Sequence, residues 1–503
     1  MSEPTPTDAQ AAPLPHPLRN RAIALAVAAA VGGFLFGFDS SVINGAVEAI
    51  NGEFDLNSGL SGFVVAVALL GSALGAWAAG RLADRWGRTR TMLLGAVMFL
   101  VSSIMTGLAF GIGDLILWRI LSGIGIGIAS VMAPAYIAEV SPKAMRGRLG
   151  SLQQLAITIG IFAALLSDQL LQNAAGDPSQ DLWFGVEAWR WMFFVGAVPA
   201  LVYGIIALTI PESPRFLIMH NRHDEALDIL STVDPEPELA VENIEKAIET
   251  DRVNAATASL KGPRFGLLPV VWVGILLSVF QQFVGINVIF YYSTTLWQAV
   301  GFSKDDSFTV STITSVTNVA VTFIAIALID KIGRRPLLLI GSIGMTVSLG
   351  LMAIAFTQSY VTQVVDTDKL SDTYNQMIDQ TTLPGGWGTT ALIAANAFVV
   401  FFGATWGPLV WVLLGEMFPN RIRAAALGVA AAAQWIANFL VSQSFPWLLD
   451  TFGASIPYLI YTIFAFLSFW FVLGKVPETK GRALEDMEGL QVVRRGRGAP
   501  AQT

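Results

Sequence analysis

Runs of apolar residues long enough to cross a bilayer constrain this chain more than any other feature. The stretches 22–47, 60–80 and 92–112 each reach the roughly 20 residues that a helix needs to span about 30 Å of hydrocarbon, and such stretches recur along the chain to a count of twelve. In lipid, only helices and closed barrels satisfy every backbone N–H and C=O. Runs this long, without polar alternation, are helices. Composition agrees: 54% of residues are hydrophobic and 13% charged, against about 25% charged in an ordinary soluble domain. The sequence predicts an all-α membrane protein with twelve transmembrane helices.

Several function classes fall away at once. The net charge is −7 and sits in the loops, with no basic patch carrying interleaved aromatics, so nucleic acid is not expected as a partner. Cysteine is absent, which excludes disulfides and thiolate metal sites. The three histidines, His16, His220 and His223, fall in tails and loops. No metal set or nucleophile is legible, and the chain is not expected to be an enzyme. Residues 1–17 are rich in Pro, Ala and Thr and lack the charged-then-apolar pattern of a cleavable signal peptide.

Lys and Arg sort the loops. Arg19 and Arg21, then Arg81, Arg85, Arg88 and Arg90, then Lys143, Arg146 and Arg148 mark one side; Lys331, Arg334, Arg335, Arg421 and Arg423 mark it again later. The opposite loops carry acids such as Glu48, Glu53, Asp55, Asp177, Asp305 and Asp306. By the positive-inside rule both termini are expected in the cytoplasm. The one long polar stretch, 211–264, reads as short amphipathic helices. Five segments follow: a disordered cytoplasmic tail over 1–21, a six-helix bundle over 22–210, a cytoplasmic helical linker over 211–264, a second six-helix bundle over 265–476, and a tail over 477–503.

An internal repeat supports that division. Asp84-Arg85-Trp86-Gly87-Arg88, Glu139-x-x-Pro142-x-x-x-Arg146 and Pro211-Glu212-Ser213 recur, in order, as Asp330-Lys331-Ile332-Gly333-Arg334-Arg335, Glu416-x-x-Pro419-x-x-x-Arg423 and Pro477-Glu478-Thr479. The glycines permit tight turns, and arginine offers planar, paired donors to carboxylates. Glu139 and Glu416 are the natural acceptors, with Glu212 and Glu478 as further ones. Asp84, Arg85, Arg88, Glu139, Arg146, Glu212, Arg334, Arg335, Glu416, Arg423 and Glu478 thus form a candidate cytoplasmic gating network. It is partly exposed and reversible, as two rocking halves require.

Together with Pro211-Glu212-Ser213-Pro214-Arg215, Gln281-Gln282-x-x-Gly285-x-Asn287 and Pro477-Glu478-Thr479-Lys480-Gly481, these motifs make the chain resemble the sugar porter family of the major facilitator superfamily. The resemblance covers roughly 22–487, and Trp406-Gly407-Pro408 to Asn438 looks most like the bacterial proton-coupled xylose carriers. It implies twelve helices in two pseudo-symmetric six-helix bundles, with substrate held between them at mid-membrane.

Polar groups in spans are expensive and mark sites. Gln281, Gln282 and Asn287 lie in one apolar run, with Gly285 loosening the helix between them. Gln434 and Asn438 share a face four residues apart, and Trp411 and Trp435 offer flat apolar surfaces. Amides and aromatic faces suit a neutral polyhydroxy ring. The resemblance extends the sugar contacts to Gln154 and Asn318; where some facilitative relatives carry a carboxylate on span 10, this chain has Gly403.

Two charges stand among apolar residues, Asp39 on span 1 and Arg119 on span 4. An Asp facing an Arg stays ionised until burial or loss of the partner shifts it, which is a proton switch. The resemblance assigns the proton to Asp39. Asp168, near the outer end of span 5, reads as interfacial. The expectation is therefore a bacterial inner-membrane importer of a neutral monosaccharide, working by proton symport and alternating access and functional as a monomer in the lipid bilayer. It needs no cofactor and is driven by the proton gradient. The alternatives are a facilitative sugar uniporter and a proton-coupled myo-inositol or polyol carrier.

Overall fold

The computed structural model describes residues 15–142, 145–257, 259–263, 265–365, 377–419 and 422–479. Among the described residues, twelve helices are long and apolar enough to cross a membrane. In order they are His16–Glu53, Ser58–Trp86, Arg88–Gly107, Ile112–Val140, Leu149–Ala175, Ala188–Thr209, Pro269–Tyr291, Lys304–Leu328, Arg334–Thr357, Trp387–Met417, Ala425–Phe452 and Ser455–Lys475, here spans 1 to 12. The first helix begins at His16 rather than Ala22. Between spans 6 and 7 lie three further helices, the largely apolar Pro214–Met219 and the charged His223–Ser231 and Pro237–Thr257. Residues 1–14 and 480–503 lie outside the described residues.

The lipid-facing surfaces are apolar. On span 3, Val97, Val101 and Ile104 recur at helical spacing and all are exposed. With no water to drive apolar faces together, helices in lipid associate through close backbone approach. Small residues provide it here. A Cβ on Gly37 of span 1 would strike the Ile157 carbonyl of span 5, and one on Gly160 of span 5 would strike Phe34 of span 1. Spans 2 and 4 meet the same way, Gly71 and Gly75 against Ile120 and Ile124, and Gly127 against Ser72.

The pairings repeat. Span 3 packs on spans 4 and 6, and six spans later span 9 packs on spans 10 and 12. The span 1–5 and 2–4 pairs recur as 7–11 and 8–10. The duplicated motifs therefore accompany a duplicated packing scheme.

The chain forms two compact units: Met1–Ser41 with Gly71–Ser167 and Arg190–Thr250, and Val42–Leu70 with Asp168–Trp189 and Asp251–Thr503. These boundaries cut spans 1, 2 and 5 and the first turn of span 6, whereas the repeat divides the chain once, in the linker. The reason lies in hydrogen bonds within the second unit. Asn44 accepts from the Thr294 backbone N–H at 3.1 Å and its carbonyl accepts from the Thr294 hydroxyl at 2.8 Å. Gln443 donates to the Gly59 carbonyl at 2.8 Å, and Gln172 to Asp305 at 2.7 Å.

Two small hairpins depart from the purely helical expectation. Asp181–Trp183 pairs with Val186–Glu187, and Tyr360–Val365 with Met377–Thr382. Both lie in connections between spans, where the apolar-run criterion says nothing about short polar strands.

The span 1–5 seam gives a test. Gly37→Ala should destabilise the detergent-solubilised protein by about 1–3 kcal/mol, because the backbone ahead of the new methyl cannot yield. Gly80→Ala, on span 2 with nothing within 4 Å of the added Cβ, should be neutral or stabilising by up to about 1 kcal/mol. Thermal unfolding of both variants checks the contrast; equal shifts would remove the seam from the argument.

Candidate functional site

Span 7 is not one helix. Pro269–Phe283 stops, Gly285 takes φ 80° in the left-handed region, and Ile286–Tyr291 restarts. A Cβ there would also run into the Tyr461 ring. The break folds Asn287 back, so that its amide donates to Gln282 Oε1 at 2.5 Å. An unbroken helix would set the two apart along the span. Gln282 in turn donates to Gln281 Oε1 at 3.3 Å, and Gln281 Nε2 donates to the carbonyls of Trp406 and Gly407, both at 3.0 Å.

Span 10 is also broken, at Thr405 between Trp387–Ala404 and Trp406–Met417, and both carbonyls belong to the first turn of its second helix. Trp406 is fully buried, and its indole N–H reaches the Leu338 carbonyl at 3.0 Å and Ser342 Oγ at 3.1 Å. The outcome is a line of three amides anchored on a kinked span, the usual fate of irregular backbone at membrane depth.

The other expected contacts have different settings. Asn438 is buried, donating to Tyr291 OH at 3.5 Å and accepting from Ser442 at 3.2 Å. Asn318 on span 8 is buried beside Gly403, where a Cβ would lie 3.4 Å from its Oδ1. The glycine thus leaves room at an amide. Gln434 is half-buried with its Oε1 unpartnered, Trp435 is half-buried, and Trp411 is 43% exposed. Gln154, in the first unit, is half-buried on span 5. Tyr291, Trp406 and Ser442 were not singled out in the sequence, where an apolar setting gave them no contrast.

In the first unit, Asp39 and Arg119 do meet, Arg119 Nη1 lying 3.3 Å from Asp39 Oδ1. Ser122, one turn along from Arg119, donates to the same oxygen at 2.5 Å. The guanidinium lies 5.9 Å from the Phe193 ring centroid, and its Nε has no partner. Arg119 therefore holds the acid by one nitrogen, without the paired grip its shape allows.

The charged motifs close into two matching networks. Arg88 grips Glu139 through Nε and Nη2, both at 2.9 Å, and Ser213 donates to the same carboxylate. Arg334 grips Glu416 at 3.2 and 2.9 Å, with Thr479 donating at 2.5 Å. Glu212 and Glu478, expected as acceptors for arginine side chains, accept from backbone N–H groups, and Glu212 also from the Thr89 hydroxyl at 2.9 Å. Glu212 caps span 3 through the N–H groups of Arg88 (2.9 Å) and Thr89 (3.3 Å). Glu478 caps span 9 through Arg334 (3.2 Å) and Arg335 (3.0 Å). Gly87 and Gly333, at φ 94° and 103°, turn the chain so that these first N–H groups face the carboxylate. A negative charge belongs at a helix N-terminus.

The remaining members are looser. Asp84 is exposed at 3.5 Å from Arg88, Arg85 is exposed, Arg335 reaches the Leu473 carbonyl and Arg423 the Phe418 carbonyl. The Arg146 side chain lies outside the described residues. At the acid-rich end, burial raises the Asp177 carboxyl, but hydrogen bonds from Lys304 and Ser179 outweigh it and hold it below the usual range. That tie is complete above the ordinary carboxylate range and lost as pH falls through the lowered value. Asp168 is not interfacial but fully buried. Among the described residues, no three or more His, Cys, Asp or Glu could hold a metal ion.

The family model for sugar (and other) transporters matches residues 25–490. The chain belongs to the sugar transporter family. It is a multi-pass membrane transporter, not an enzyme. Among its relatives, a glucose transport protein of Synechocystis is 52% identical, covering 91% of this chain and 95% of that protein. The D-xylose-proton symporter of Escherichia coli is 34% identical over 93% and 95%. The fold matches the xylose transporter XylE of E. coli in a partially occluded inward-open conformation, with TM-score 0.77, 32% identity, and coverage of 92% of this chain and 100% of that one. The major facilitator fold expected from the repeat is thus the fold of the family.

Two outcomes check this site. Gln282→Ala and Asn287→Ala should each weaken sugar binding at least tenfold by calorimetric titration, since each removes about 1 kcal/mol of hydrogen bonding and strands a partner; full affinity in both would dismiss the amide line. Glu478→Ala should lower stability by about 1–2 kcal/mol through the lost helix cap, read as a fall in thermal unfolding temperature, and an unchanged temperature would leave the cap without weight.

Proposed function

We propose that the chain imports a neutral monosaccharide by proton symport through alternating access, across a bacterial inner membrane, as a monomer with both termini in the cytoplasm. The observation that carries the reading is the pair Asp39–Arg119. Both side chains are buried, at 4% and 2% exposure, in a setting where an unpaired charge is prohibitive. Ionised, Asp39 is neutralised by Arg119 and accepts from Ser122. Protonated, it loses the charge that holds Arg119 through a single nitrogen, and spans 1 and 4 are released from each other. The proton thereby alters the contact between two helices, as coupling requires.

The substrate reading rests on the amide line. Gln281, Gln282 and Asn287 present donors and acceptors with no fixed charge beside them, which favours adjacent hydroxyls over an anion. Among pentoses and hexoses, the 52% identity to a glucose transport protein supports a hexose. No cofactor enters; the proton gradient supplies the energy. The Arg-rich span ends face the cytoplasm by the positive-inside rule, which places the capped networks there as the elements that hold and release in turn.

Asp39→Asn should abolish uphill accumulation in proteoliposomes under an imposed pH gradient while retaining counterflow exchange, because the amide fixes the protonated state. A mutant that still concentrates sugar would remove Asp39 from coupling. Wild type that never concentrates sugar would make the chain a facilitator.

A further inference from the structure

Span 5 carries a second buried acid that the reading above does not use. Asp168 is 0% exposed. Its Oδ2 accepts from the Gly45 backbone N–H of span 1 at 3.3 Å, and its Oδ1 has no hydrogen-bond partner. The approach is tight because position 45 is glycine: a Cβ there would lie 2.8 Å from the Asp168 Cβ, Cγ and Oδ2. The same two spans also approach closely within the first unit, at Gly37 and Gly160. Gln172, one turn on and also buried, has its Oε1 unpartnered while its amide donates to Asp305 at 2.7 Å.

No cation balances this acid among the described residues. The charged groups that these elements carry toward the acid-rich end are Glu48 and Glu53 of span 1, Asp177 beyond span 5, and Lys304, Asp305 and Asp306 of span 8, while Asp39 of span 1 pairs with Arg119. Lys304 is taken by Asp177 and, at 3.8 Å, by Glu48; Asp305 faces Gln172. A bare carboxylate in such a place is strongly disfavoured, so the neutral acid fits it, with the proton on the unpartnered oxygen.

We propose that Asp168 is a second proton-binding site, occupied while the acid-rich end of span 5 is packed on span 1 and emptied when that seam opens to water. Opening hydrates Oδ1, the O–H bond breaks, the proton passes to the entering water and the carboxylate remains ionised and solvated. Closing reverses the transfer. Proton uptake at Asp168 thereby accompanies closure of the seam, separately from the Asp39–Arg119 pair. The occupancy of the site stands on its own geometry; only its consequence for transport rests on the proposed symport.

Infrared spectroscopy of the purified protein reads the proton directly. At neutral pH, wild type should show a protonated-carboxyl C=O band that is absent in Asp168→Asn and retained in Asp39→Asn. Asp168→Asn keeps an acceptor for Gly45 and so preserves the packing; Asp168→Leu serves as the second variant, since a neutral buried acid tolerates an apolar replacement. Gly45→Leu, which wedges the seam apart, should lose the band at the same pH. A spectrum of Asp168→Asn or Asp168→Leu identical to wild type would overturn the proton site, and a band that survives Gly45→Leu would overturn its dependence on packing. Should the band behave as expected while wild type fails to accumulate sugar on a pH gradient, the symport reading falls and the proton site stands.

Discussion

Close approach of helix backbones is the constraint on which the rest depends. Lipid supplies no hydrophobic pressure between spans, so contact must come from dispersion, and dispersion falls steeply with distance. Gly37, Gly160, Gly71, Gly75 and Gly127 let main chains meet where side chains would hold them apart. Once spans 1 and 5 lie this close, Asp168 has nowhere to go but the seam, and once spans 2 and 4 do, Arg119 and Ser122 are set along a wall facing span 1. Polar positions are thus consequences of packing as much as of residue choice.

Broken helices supply what packing alone does not. A straight span satisfies its own backbone and offers a ligand only side chains. At Gly285 and Thr405 the ladder is interrupted, and just past the second break Gln281 donates to the carbonyls of Trp406 and Gly407. The glutamine so held cannot rotate freely, and through it Gln282 and Asn287 inherit an orientation. On the proposed reading a sugar would meet amides that are already aligned, which lowers the entropy lost on binding.

Much of this was legible in the sequence. Apolar runs located the twelve spans, because length and lack of charge are the whole criterion for crossing lipid. The repeat located the charged networks, because the same spacing returns on matching helix ends. Asp39 and Arg119 stood out as charges without polar neighbours. Other features left no such mark. That Glu212 and Glu478 cap helices depends on where a backbone N–H points, which follows from the φ of Gly87 and Gly333 and not from spacing. Asn287 reaches Gln282 only through a helix break whose sharpness one glycine does not announce. Asp168 looked interfacial because it lies near a span end, yet burial there is set by Gly45 on a different helix.

The two caps have a consequence in time. Glu212 reaches back 124 residues to the start of span 3, and Glu478 reaches back 144 to the start of span 9. Neither helix start is sealed until the ribosome has made the last residues of its own set of six. Ser213 and Thr479, the next residues out, then complete the Arg88 and Arg334 networks. The first set thus acquires its fastening before any of span 7 exists, and the second only after span 12 has been made. Each repeat carries its clasp at its tail, so insertion runs as two separate closures rather than one.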